Sequence, residues 1–196
     1  MSEEITNTTL LRSPLLMNRE DTALLIIDVQ EKLLPHIRDH ERITFNLSRL
    51  IRGANALGVD VRATEQYPKG LGATVPEIAG LIESTIPEKT MFSCRECETL
   101  IRDFQAAGKQ NVVLAGMETH VCVAQTALDY FAAGFNVFLC VDAIGSRFEI
   151  DHMTALRRLE YSGITPTTTE AALFEWCERA GSAEFKVISQ LAREKM

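Results

Sequence analysis

Apolar positions along this chain alternate between continuous runs and helix-spaced repeats. The runs at 23–27, 111–115 and 135–141 have the character of strands covered on both faces, and 59–64 reads as a further strand. Between them, Ile43, Leu47, Leu50, Ile51 and Ala54 recur at helical spacing until Gly58 stops the helix. Helices are likewise predicted over 98–107, 121–133, 150–161, 170–180 and 183–195, with a short candidate at 75–82 and a short last strand near Ile164 and Thr165. Strands alternating with helices imply βαβ units, hence a parallel sheet with helices on both faces. Such a sheet binds ligands beyond the carboxyl ends of its strands. The segment 65–88 is long and rich in Gly and Pro; a loop of that length inside a compact domain is usually functional.

Composition narrows the function classes. With 196 residues, 46% hydrophobic and 24% charged, the chain reads as one globular domain over 20–196 behind a polar N-terminal arm at 1–19. A net charge of −7, with twenty Lys and Arg and no dense basic cluster, argues against nucleic acid as a partner. No apolar run approaches a membrane span, and the early acidic residues do not fit a secretory signal, so a cytoplasmic address is expected. Five cysteines, an odd number at irregular spacing, suit reduced thiols better than a disulfide framework.

Three chemically capable residues fall at strand ends. Asp28 follows the run 23–27; it either caps the next helix or acts in catalysis. Lys89 follows the long loop and alone reads as a solvated charge. Cys122 follows Gly116, and Thr119 is a candidate N-cap that would put Cys122 in the first helical turn. There the helix dipole and a nearby ammonium would lower a thiol pKa from about 8.5. Equally, Cys122 is a small buried residue packing a helix onto the sheet. Taken together, the three make a coherent set: a carboxylate to accept the thiol proton, a cation, and a nucleophile. The backbone N–H groups of Val121 and Cys122, at a helix start, are candidate oxyanion donors.

The segments 25–30, 88–93 and 116–123, with Val141-Asp142-Ala143 and Ser146-Arg147, resemble the signature of the isochorismatase-like cysteine hydrolases, and the resemblance runs from about residue 21 to about residue 169. Within that family, 65–72 is similar to the branch of isochorismatase domain-containing proteins. The resemblance implies a three-layer α/β/α sandwich around a mostly parallel, six-stranded, doubly wound Rossmann-like sheet. It also implies an Asp28–Lys89–Cys122 triad, a cis peptide bond between Met117 and Glu118, and a homo-oligomer. The family's nicotinamidases bind a metal after the second strand. Glu65-Gln66-Tyr67 stands there and no histidine intervenes before His120, so no metal and no cofactor are expected. The expected function is hydrolysis of a small amide or related C–N bond through a thioester on Cys122. The alternative is a non-catalytic binding protein of the same fold.

Gln30, Tyr67, Phe92 and His120 are candidate pocket residues. His120 and Cys122, two apart on a helix, would point about 200° apart, which argues against a Cys–His dyad. Cys94 and Cys97 form a lone C-x-x-C with no zinc-spaced partners, and redox use is its rival reading. Asp142 is expected to cap or brace a loop, with Arg147 pairing to it or reaching the pocket.

Overall fold

The computed structural model describes residues 12–196. β1 (Thr22–Ile27) leads through a short 3-10 turn into α1 (His40–Leu57) and β2 (Asp60–Gln66). The long segment that follows carries only two four-residue helices, α2 (Pro68–Leu71) and α3 (Pro76–Ala79), before the two-residue β3 (Glu88–Lys89). Then come α4 (Glu98–Ala106), β4 (Asn111–Met117), α5 (Ala124–Ala132) and β5 (Asn136–Gly145). The chain finishes with α6 (Glu149–Tyr161), β6 (Thr165–Thr167), α7 (Thr169–Cys177) and α8 (Ala183–Arg193). The six strands lie in the order β3-β2-β1-β4-β5-β6, and every neighbouring pair is parallel.

The period-2 alternation of β1 builds both cores. Leu24 and Ile26 face a layer containing Ile43, Leu47 and Leu50 of α1, Trp176 of α7 and Ile188 of α8. Ala23, Leu25 and Ile27 face the opposite layer, with Phe104 of α4, Tyr130 of α5 and Leu159 of α6. This is the expected α/β/α sandwich. The chain passes β2 on one side of β1 and β4 on the other, so the direction of winding reverses there and opens a crevice at the carboxyl rim.

Residues 1–11 of the predicted arm lie outside the described residues, whereas Arg12 and Met17 are held against the domain. Arg12 reaches the carbonyls of Met17 (3.1 Å) and Glu175 (2.7 Å), and Met17 is fully buried. On α5 and just after it, Ala127, Tyr130 and Phe135 are buried in the core, Leu128 is partly buried and Phe131 stays half-exposed.

Candidate active site

Gly116, near the end of β4, has φ +117, and a Cβ there would stand 2.1 Å from the Ile27 carbonyl oxygen. Glycine therefore lets β4 close onto the end of β1. Just beyond Ile27, Asp28 sits at φ +55, in the left-handed region that aspartate tolerates better than most residues. Its side chain is wholly buried at the sheet rim.

β3 lines up with β2 so that Lys89 stands beside Gln66. The Lys89 ammonium donates to Asp28 Oδ2 (2.6 Å), Gln66 Oε1 (2.8 Å) and the Phe92 carbonyl (3.0 Å). An ammonium has three protons, so all are engaged at good distance. Gln66 is itself held by Gln30, whose Oε1 accepts the Gln66 N–H (2.8 Å) and whose Nε2 donates to the Gln66 and Gly72 carbonyls (3.0 and 2.7 Å). Gln30 is thus a fully buried clamp rather than the pocket residue expected. Glu96 pins the turn that carries the Phe92 carbonyl. It accepts the Thr90 and Met91 N–H groups, each at 2.6 Å, and these hold its carboxyl below the usual range.

Cys122 lies in a π-turn, Thr119–Val123, that precedes α5, and the Met117–Glu118 peptide bond before it is cis. The cysteine is 6% exposed, and the Asp28 carboxyl stands close enough to act on its thiol. The three residues singled out at strand ends therefore meet in one buried cluster. The electrostatics correct the expectation of an acidic thiol. Burial first, then the Asp28 charge, push the Cys122 thiol well up, and Lys89 only partly offsets them. Burial likewise raises the Asp28 carboxyl, with Lys89 opposing, which makes Asp28 a stronger base than a free carboxylate. For Lys89, burial favours discharge, but the Asp28 carboxylate outweighs it, so the ammonium is retained. The cluster is a carboxylate–ammonium ion pair with a protonated thiol against it.

Thr119 does not cap. Its hydroxyl shares a hydrogen bond with His152 Nδ1 (2.9 Å), and no side chain caps the turn. The Val121 N–H donates to the Glu118 carbonyl (3.0 Å), so this expected oxyanion donor is already engaged. His120 turns to Ser146 Oγ (3.0 Å) and towards Asp151 (3.9 Å). Tyr67 lines a cavity of about 290 Å3 beside Lys89, Thr90 and Glu96, and Phe92 is half-exposed next to the Lys89 turn. Arg147 pairs with Glu118 (2.9 Å) rather than Asp142. Asp142 does brace: its Oδ1 accepts the Thr169 N–H (2.8 Å) at the start of α7. Cys94 and Cys97 are both free thiols. Gln66 and Thr64 escaped sequence reasoning, although two polar residues two apart at the end of a strand share one face and were a legible signal.

The isochorismatase domain model matches residues 22–171. Isochorismatase domain-containing protein 1 of Danio rerio is 40% identical over 166 residues, covering 85% of this chain but 59% of its own length. This chain therefore spans about three fifths of that relative. A solved structure described as the MAR1 ribonuclease from Caenorhabditis elegans is 36% identical, with a TM-score of 0.82 over 90% of this chain and 91% of its own. The Escherichia coli YcaC gene product, described as an octameric hydrolase of unknown specificity, is 25% identical, with a TM-score of 0.84 over 92% of both chains. The sheet order, the rim at which Asp28, Lys89 and Cys122 meet and the match across 22–171 lead to one assignment: the chain belongs to the isochorismatase domain family.

Proposed function

We propose that this protein is a cysteine hydrolase that cleaves a small amide or a related C–N bond through a thioester on Cys122. The observation that carries the reading is the buried Lys89–Asp28 ion pair (2.6 Å), close enough to the Cys122 thiol to act on it. Asp28 takes the thiol proton as sulfur adds to the substrate carbonyl, and the Cys122 N–H is the remaining donor of the expected pair for the oxyanion. The C–N bond then breaks, the leaving nitrogen receives the proton from Asp28, and Cys122 is acylated. Asp28 next removes a proton from water, which attacks the thioester and releases the carboxylic acid and the thiol. Lys89, with each proton engaged, keeps its charge throughout and holds Asp28 ionised.

A high thiol pKa suits this route, because the proton leaves only when an electrophile is in place and an exact base stands beside it. Incubation with a panel of small amides and carbamates, followed by intact-mass measurement, tests the reading. An acyl adduct localised to Cys122, absent in Cys122→Ala, is expected; turnover of a cognate amide that survives Cys122→Ala would refute it. The ribonuclease relative does not shift the substrate class, since the net charge of −7 disfavours a polyanion. The five free thiols support a reducing, cytoplasmic setting. The octameric relative supports self-association, for which exposed Phe148, Ile150 and Met153 at the start of α6 supply an apolar surface.

A further inference from the structure

Cys94 is wholly buried, close to the triad, and unused by the mechanism above. Its sulfur lies 3.5 Å from Thr64 Oγ1, and Thr64 Oγ1 lies 2.9 Å from Asp28 Oδ1, the oxygen that Lys89 does not hold. A hydroxyl has one proton, and an ionised carboxylate can only accept, so Thr64 donates to Asp28. Its lone pair then faces Cys94, which must be the S–H donor. The direction of the chain is fixed: Cys94 to Thr64 to Asp28. Burial pushes the Cys94 thiol up to about 12, which keeps that proton on sulfur at neutral pH.

The other end of the chain is anchored to the helix that carries the nucleophile. The Cys94 N–H donates to Thr126 Oγ1 (2.9 Å), and Thr126 is fully buried in α5. Thr126 follows Cys122 by four residues, so the two side chains stack on one face of the continuous turn-and-helix. Cys122 lies close enough to feel the Asp28 charge, and Thr126 reaches Asp28 through Cys94 and Thr64. The result is a closed ring in which the base is indexed to the nucleophile from two sides.

We propose that Thr64, backed by Cys94, is a positioning residue for the base: it holds Asp28 Oδ1 so that the carboxylate stays ionised and aimed at the Cys122 thiol. The proposal rests on Asp28 acting as base to Cys122, as argued above. Loss of the Thr64 donor removes a hydrogen bond to the charged form and so favours the protonated acid.

The test is the pH dependence of Cys122 alkylation by acrylamide in the full-length protein, followed by peptide mass mapping. Asp28→Asn should remove the acid limb of the profile. Thr64→Val should move that limb up by about one pH unit, tenfold in the ionised fraction at a given acidic pH. Thr64→Ser should restore it. Cys94→Ala should shift it in the same direction by less, and Cys94→Ser, which keeps a donor, should not. This second pair carries the test if Thr64→Val does not fold. A limb that stays fixed in Thr64→Val and Cys94→Ala, while Asp28→Asn removes it, would overturn the positioning role and leave the base intact. A limb unchanged by Asp28→Asn would instead sink the reading of Asp28 itself.

Discussion

Among the described residues, two clusters combine a cysteine, an aspartate and a threonine, and in only one of them does a cation pair with the carboxylate. At the carboxyl rim, Asp28 spreads its two oxygens: Oδ1 accepts from Thr64 (2.9 Å) and Oδ2 from Lys89 (2.6 Å), with the Cys122 thiol against the carboxyl. Inside β5, Asp142 uses one oxygen for Cys140 Sγ (3.3 Å), the Thr169 N–H (2.8 Å) and the Thr169 hydroxyl (3.0 Å). The second carboxylate starts a helix; the first waits beside a thiol with a charged partner fixed behind it. Cys140 is completely buried, whereas Cys122 retains 6% exposure. Residue type and contact are therefore not what makes a site. Position at a strand end, a lysine with no spare proton and a sulfur within reach of solvent distinguish one cluster from the other.

The sharpest way to break this comparison is to delete each sulfur. Cys122→Ala should lower amide turnover by more than about a thousandfold, since in the proposed mechanism it removes the group that forms the covalent intermediate. Cys140→Ala should leave turnover within about twofold and cost only stability, about 1–2 kcal/mol in urea titrations. Comparable losses of turnover in the two variants would erase the distinction. Next in size is the cation. Lys89→Met leaves the Asp28 carboxylate buried without its partner, which should cost about 3–5 kcal/mol. In Asp28→Asn/Lys89→Met the cost should fall below the sum of the two single losses, because the residues share one interaction. Additive losses would mean that the ion pair is not coupled as the 2.6 Å contact implies.

How much of this was legible in the sequence differs by element. The apolar runs at 23–27 and 111–115 gave β1 and β4 because burial on both faces leaves no polar alternation to misread. Gly58 marked the end of α1 within its residue because only glycine enters φ +74 cheaply. Asp28, Lys89 and Cys122 were visible as chemistry at strand ends, and the resemblance ordered them. The local form around Cys122 was not visible. A π-turn has no signature in spacing, and Thr119 looks like a cap until His152, 33 residues away, takes its hydroxyl. Gln30 looked free because its partners, Gln66 and Gly72, are brought to it only by the tertiary fold. The same holds for the thiol pKa. Sequence shows the cation and the helix start, but burial, which wins, belongs to the folded state.

Burial acts on both clusters alike, so alkali should reveal what they share. Burial pushes the Cys94 thiol to about 12 and also raises Cys122 and Cys140 well above the ordinary thiol range. Each thiol holds its proton more tightly folded than unfolded. Its stabilisation is therefore complete below the ordinary thiol range, near 9, and is lost as pH rises towards the folded value. The unfolding free energy should fall by about 1.4 kcal/mol per thiol for each pH unit in that window. Cys140→Ala should flatten the slope by about one such share, and Cys122→Ala by a similar share. A flat stability profile between pH 9 and 11 would contradict the buried, protonated state of both thiols.

The smallest effect belongs to the aspartate of the second cluster, and it isolates structure from chemistry most cleanly. Asp142 Oδ1 accepts the first N–H of α7, and the Thr168 hydroxyl already accepts from Ala171 (3.3 Å), so the helix start has two supports. Asp142→Ala removes one and should cost about 1 kcal/mol. The neighbouring contacts from Arg42 and Asn46 go to the Asp142 backbone carbonyl (2.8 and 2.9 Å) and survive the change. Alkylation of Cys122 should keep its rate and its pH profile, because no atom of this cluster touches Asp28, Lys89 or the thiol. A shifted profile in Asp142→Ala would mean that β5 transmits strain to the rim, and the two clusters would then be one coupled unit rather than a cap and a site.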